Sequence, residues 1–155
     1  MLPQMRILAQ IFILITVSLL LGSCYADPNC IGLRNDILGV SFRQKSNNES
    51  ISVEIVDITI SNSDSVFNTG ASTMQVYLPL NVNESQQTIT FNLSTGSFSL
   101  VVDYLSQPQF ESVDCGPRFV LSNLKVAAHT FDSVFVAGTI PLTANSGTNI
   151  VVYPN

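Results

Sequence analysis

Tryptophan is absent from this 155-residue chain, histidine occurs once and cysteine three times. Each scarcity excludes something. One histidine and a pair of oxidised cysteines cannot supply a zinc site of ordinary composition, and without tryptophan the best stacking platform for a ligand ring is missing. Cations are fewer than acids: six Lys and Arg stand against eleven Asp and Glu, for a formal net charge of −5. Phosphate recognition needs clustered Lys and Arg, whereas Arg34, Arg43, Lys45, Arg118 and Lys125 are scattered. Nucleic acid is therefore excluded as a partner, and the acidity reads as solubility. After the first 23 residues there is no apolar run of membrane-spanning length. What is present is a folding composition, 46% apolar and 11% charged, rather than a disordered one.

The first segment has the anatomy of an export signal. Met5-Arg6 is a minimal positive start, and Ile7 to Leu21 is apolar apart from Gln10, Thr16 and Ser18. At ~1.5 Å per residue this stretch is too short to cross a ~30 Å hydrocarbon core. It ends Leu21-Gly22-Ser23-Cys24, which resembles the lipobox of bacterial lipoproteins. There the small residues fit the peptidase cleft and the cysteine accepts lipid and becomes the new N-terminus. A competing cut after Ala26, within Cys24-Tyr25-Ala26, would free Asp27 instead. The lipobox is preferred because its leucine-small-small-Cys order directly ends the apolar run.

With Cys24 assigned to lipid, Cys30 and Cys115 remain. Two thiols in an exported protein most simply form one disulfide, with two free buried thiols as the alternative. The bridge would tie the N-terminal stalk to the turn sequence Cys115-Gly116-Pro117.

Beyond residue 30 the apolar pattern has period two, not 3.6. Leu38, Val40 and Phe42 alternate with Gly39, Ser41 and Arg43. Val53 and Ile55, then Ile58 and Ile60, alternate with a slip at Val56-Asp57 that predicts a bulge. Further stripes are Met74-Val76-Leu78-Leu80, Ile89-Phe91-Leu93, Phe98-Leu100-Val102-Tyr104, a stretch from Phe119 to Ala128, Val134-Val136 and Ile150-Val152. Segments rich in Ser, Asn, Gly and Pro separate them, among them Gln44 to Ser50, Asn81 to Gln87 and Ser106 to Pro117. About eight short strands at this spacing predict an all-β antiparallel sandwich, Ig-like or similar. The division is a signal peptide over 1–23, a lipid-anchored stalk over 24–35 and an all-β domain over 36–155.

A short internal likeness links Asp64-Ser65-Val66-Phe67-Asn68-Thr69-Gly70 to Asp132-Ser133-Val134-Phe135-Val136-Ala137-Gly138. Each copy is followed by an apolar-Pro-Leu step, at Pro79 and Pro141, and then by a Thr-led strand. Two similar strand-turn units on opposite sheets are expected, each Pro on an edge or at a strand end.

Chemistry-bearing residues are few. His129, Asp132 and Ser133 are close in sequence, but a triad is defined by geometry and no Gly-x-Ser-x-Gly elbow is present. An exposed histidine at a strand end is the preferred reading, with Phe131 on the same face. Asn62-Ser63-Asp64 offers oxygens without the glycine and distal Glu of a calcium loop. Glu54 and Asp57 differ in strand parity, and Asp103, Glu111 and Asp114 are spread along a Pro-containing segment, so paired-acid glycoside chemistry is not indicated. Asn48, Asn83 and Asn92 each head a glycosylation sequon, relevant only in a eukaryotic source. Tyr25, Tyr77, Phe110 and Tyr153 are candidates for an aromatic contact patch. No catalytic residue, cofactor or metal is assigned.

The whole pattern is similar to an uncharacterised family of Bacteroidota lipoproteins. The likeness is carried by Cys24 after the apolar run, Cys30, Asn35 to Phe42, Leu78-Pro79-Leu80-Asn81, Cys115-Gly116, Asp132-Ser133-Val134 and Asn149 to Tyr153. It implies an envelope location, an all-β domain, a Cys30–Cys115 bridge and partnership with an outer-membrane β-barrel protein. Tyr25 is not the aspartate that retains many lipoproteins at the inner membrane, and Tyr25-Ala26-Asp27 lacks the acid run of surface-displayed ones, so the expectation is the outer membrane, facing the periplasm. The expected function is a non-enzymatic binding or accessory module held to the membrane by its lipid. The alternatives are an unrecognised hydrolase or carbohydrate-active enzyme, and a purely structural envelope lipoprotein.

Overall fold

Leu38, Val40 and Phe42, spaced two apart, send their side chains into one face, and all three are fully buried. The same logic builds the rest of the chain. A computed structural model describes residues 36–63, 66–67, 70–110 and 117–154. Cys24, Cys30 and Cys115, the signal boundary and the stalk lie outside the described residues.

Ten strands form among the described residues: β1 (Ile37–Phe42), β2 (Val53–Ile60), β3 (Val66–Phe67), β4 (Ser72–Thr73), β5 (Gln75–Pro79), β6 (Gln86–Leu93), β7 (Gly96–Phe110), β8 (Pro117–His129), β9 (Ser133–Val136) and β10 (Ile150–Tyr153). They make two sheets. One has four strands in the order β5-β1-β10-β9; the other has six, β3-β2-β6-β7-β8 with β4 beside β2. The pairings are antiparallel except that of β1 with β10, which is parallel. A parallel pair needs a long connection between its strands, and here that connection is most of the domain.

The sheets pack face to face around one apolar core. Phe42 of the smaller sheet meets Phe91 of the larger edge to face, with ring centroids 6.0 Å apart. Phe131 continues the contact, 5.7 Å from Phe91 and stacked on Phe98 at 4.9 Å. Such aromatic pairs contribute about 0.5–1.5 kcal/mol each beyond their buried area.

The bulge lies where the alternation slips: the β2–β6 register shifts between Ile55 and Asp57, leaving Val56 exposed. It also corrects the parity expectation. With one extra residue inserted, Glu54 and Asp57 both face away from the core, Glu54 just before buried Ile55 and Asp57 just before buried Ile58. Met74 is not core but 54% exposed, because the backbone turns between β4 and β5 and the buried stripe starts at Val76.

The larger departure concerns Ser106 to Pro117. Rather than a loop from Ser106 onward, β7 continues to Phe110 and pairs in register with β8 from Leu105↔Ser122 out to Phe110↔Pro117. The β6 pairing ends at Gln86↔Asp103. Beyond it, β7 and β8 form a two-stranded arm that overhangs the sandwich. Pro108 sits in this arm, where a strand without a second neighbour tolerates the missing donor.

The two similar segments do fall on opposite sheets: Val66–Phe67 is β3, paired with β2 in the six-stranded sheet, and β9 is at the edge of the four-stranded one. Asp64, Ser65, Asn68 and Thr69 lie outside the described residues. Pro79 ends the edge strand β5. Pro141 is buried just before Leu142, which bridges to Ile37.

Candidate functional site

His129 closes β8 and is exposed, as an isolated strand-end histidine should be. Phe131 does not share its face: the strand ends at His129, and the turn swings Phe131 into the core. The imidazole Nδ1 lies 3.1 Å from the Phe131 carbonyl oxygen. A carbonyl only accepts, so this nitrogen carries the proton. Asp132 is engaged by Lys45 instead, Nζ to Oδ2 at 2.6 Å. Histidine and aspartate are thus each held by a different partner.

The acids behave similarly. Asp57 Oδ1 accepts from Asn92 Nδ2 at 2.7 Å, across the bulged register. Asp103 Oδ1 accepts from Gln86 Nε2 at 2.7 Å. Glu111 and Asp114 lie outside the described residues. Asn62 is exposed with φ 57°, the left-handed geometry of a turn asparagine. Among the described residues, no group of three or more His, Cys, Asp and Glu is placed to hold a metal ion, and no helix is long and apolar enough to cross a membrane.

The candidate aromatics do not form one patch. Tyr77 is on β5 and Tyr153 ends β10, both in the four-stranded sheet, and the Tyr153 hydroxyl donates to Asn48 Oδ1 at 2.9 Å. Phe110 is at the far end of the arm on the other sheet. Tyr25 lies outside the described residues. Of the sequon asparagines, Asn92 is committed to Asp57 and Asn48 to Tyr153, while Asn83 is exposed.

The feature that stands apart is the root of the arm. Tyr104, the last core residue of β7, is almost wholly buried, and its hydroxyl donates to the Asn81 carbonyl at 2.8 Å. Burial and the nearby Glu84 carboxylate push its pKa up to about 12, against the opposing pull of that backbone hydrogen bond. Two residues on, Ser106 Oγ donates to the Val82 carbonyl at 2.6 Å. The turn Asn81–Ser85 is thereby pinned to the arm, and between them lies a cleft of about 480 Å³ lined by Val82, Glu84, Tyr104, Leu105 and Phe119 among others. The start of the domain is at the same place, since the Leu80 N–H donates to the Asp36 carbonyl at 2.7 Å. The chain therefore enters the sandwich beside the arm's root. The opposite pole holds the β6–β7 turn, the β1–β2 turn and the end of β10, with the Arg43 N–H bonded to the Val152 carbonyl at 3.0 Å and the Ser94 N–H to the Glu54 carbonyl at 3.0 Å.

Sequence reasoning missed the arm and the buried hydrogen bonds of the Asn149 side chain, whose Oδ1 accepts from the Gly39 N–H and whose Nδ2 donates to the Ile140 carbonyl. The arm's signal was legible: Tyr104, Ser106, Pro108 and Phe110 carry on the β7 parity, and a proline near mid-strand marks an edge. Asn149 had no such signal.

Comparison with protein families matches residues 50–154 to a family of unknown function, DUF6452. No curated protein and no solved structure matches the chain.

Proposed function

The chain belongs to DUF6452, a family of unknown function, and we propose that it is a lipid-anchored accessory module of the cell envelope with a binding rather than an enzymatic role. In this reading the signal is cleaved before Cys24, Cys24 carries the acyl chains, and Cys30 and Cys115 form a disulfide. The protein is a Bacteroidota lipoprotein on the periplasmic face of the outer membrane, and it serves an outer-membrane β-barrel protein.

The observation that carries it is the position of Asp36 beside the root of the arm. A stalk running from Cys24 to Asn35 spans at most about 40 Å, at ~3.3 Å per residue. Held by such a tether, the domain turns its arm pole toward the membrane and its turn pole away. The arm then lies within reach of a membrane-embedded partner, and a tether confined to two dimensions raises that partner's effective concentration. A lipoprotein anchor with several acyl chains provides stable attachment, where one chain would be marginal.

Intact mass of protein purified from membranes tests the reading. The expected mass is that of the chain from Cys24, plus the acyl groups, less two hydrogens for the bridge. Affinity purification from solubilised outer membranes should co-enrich a β-barrel protein, and replacing Gln107 and Gln109 on the arm with Asp should reduce that enrichment at least fivefold. An unacylated chain starting at Asp27, or enrichment indifferent to the arm, would overturn it.

A further inference from the structure

On β7 the even positions Phe98, Leu100, Val102 and Tyr104 face the core. The same parity continues into the arm as Ser106, Pro108 and Phe110, with Leu121 opposite Ser106 and Phe119 opposite Pro108 on β8. The core-facing side of the larger sheet thus runs past the end of the smaller one and stays apolar. Exposure rises along it as the covering sheet is left behind: Leu121 0%, Phe119 41%, Phe110 73%. The smaller sheet ends at this pole because β1 begins at Ile37, and Asp36 is hydrogen-bonded to Leu80 next to the turn that holds the arm.

We infer that the inner face of the arm is the docking site of the chain's own residues 28–35, which complete the sandwich over the overhang. Three observations select this occupant. The segment joins the described chain at Asp36, at the arm's root, so its local concentration there exceeds that of any separate partner. Its length suffices: eight extended residues span about 26 Å, while Ser106 to Phe110 covers about 14 Å of strand. Its sequence, Pro28-Asn29-Cys30-Ile31-Gly32-Leu33-Arg34-Asn35, places Ile31 and Leu33 two apart, the spacing that puts two apolar side chains on one face of an extended segment. These residues remain whether cleavage precedes Cys24 or follows Ala26, so the inference stands apart from the lipid reading.

The test is amide hydrogen exchange on the mature protein, wild type against the Ile31→Asp/Leu33→Asp double variant. Amides of Gln107, Gln109, Phe110 and residues 118–120 should exchange at least tenfold faster in the variant, with those of β6 unchanged as the control for folding. Arm rates equal in the two proteins would overturn the inference. A photoreactive phenylalanine analogue at position 119, irradiated in the full chain, supplies an independent reading. Crosslinks mapping to residues 28–35 of the same molecule are expected; crosslinks to a second copy, another protein or lipid in their place would overturn it.

Discussion

Gly39 and Asn149 hold each other by two reciprocal hydrogen bonds: the Gly39 N–H donates to Asn149 Oδ1 at 3.1 Å, and the Asn149 N–H donates to the Gly39 carbonyl at 2.9 Å. Asn149 Nδ2 also donates to the carbonyls of Ile140, at 2.7 Å, and Gly138, at 3.3 Å. One buried amide side chain thus ties β1 to the segment that crosses over it. Asn149→Ala leaves one donor and two acceptors of the backbone unpaired, so a loss of about 2–4 kcal/mol is expected. Urea unfolding, read as a fall in midpoint at constant slope, measures it.

The same approach explains Gly39. A Cβ there would lie 2.6 Å from the Gly147 carbonyl oxygen and 2.7 Å from Leu142 Cδ1. The first neighbour is backbone and cannot rotate away. Gly39→Ala should cost about 1–3 kcal/mol by overpacking, and thermal unfolding should show a Tm lowered by several degrees.

Phe91 sits between Phe42 and Phe131 and has no exposed surface. Phe91→Ala opens a cavity that joins the two sheets, so about 3–5 kcal/mol of destabilisation is expected. Phe91→Leu, which keeps most of the volume, should cost less than half as much in the same denaturant experiment.

Tyr104 makes stability sensitive to alkali. Its folded pKa, about 12, lies above the ordinary 10.0, so the folded state holds the phenolic proton more tightly than the unfolded state does. The contribution is complete below pH 10 and is lost as pH rises toward 12. The denaturant midpoint should therefore fall as pH rises from 10.0 toward about 12, and less steeply in Tyr104→Phe. The ultraviolet difference titration of wild type against that variant should show one phenol ionising near pH 12. A difference curve centred at pH 10 would contradict the assignment.

The ion pair between Lys45 and Asp132 is short, 2.6 Å, but its side chains are 62% and 38% exposed. Solvent screening limits such a pair to about 0–1 kcal/mol. Lys45→Ala should shift the urea midpoint marginally, and the shift should vanish in 1 M salt.

Much of the fold was legible because burial and strand geometry act on single positions. Leu38, Val40, Ile89, Phe91, Leu100 and Val102 are core because each alternates with a polar or small neighbour. The bulge at Val56 was legible for the same reason, as a break in that alternation. Met74 was misread because its apolar character matched the stripe while the backbone turned beneath it. The arm was misread because Ser, Gln and Pro at Ser106 to Pro108 resemble a loop, although strand pairing with β8 holds them extended. His129 and Phe131 were separated by a turn that parity cannot register.

Local chemistry alone determined the strand content, the sheets' buried faces and the excess of acids over cations, since side-chain polarity and spacing are properties of the chain itself. Only the tertiary structure decided that β1 lies parallel to β10, that Gly39 admits no side chain, and that the arm projects beside the point where the chain enters the sandwich. Those facts depend on which residues far apart in sequence become neighbours, and hydrogen-bond partners and steric clashes exist only once they have met.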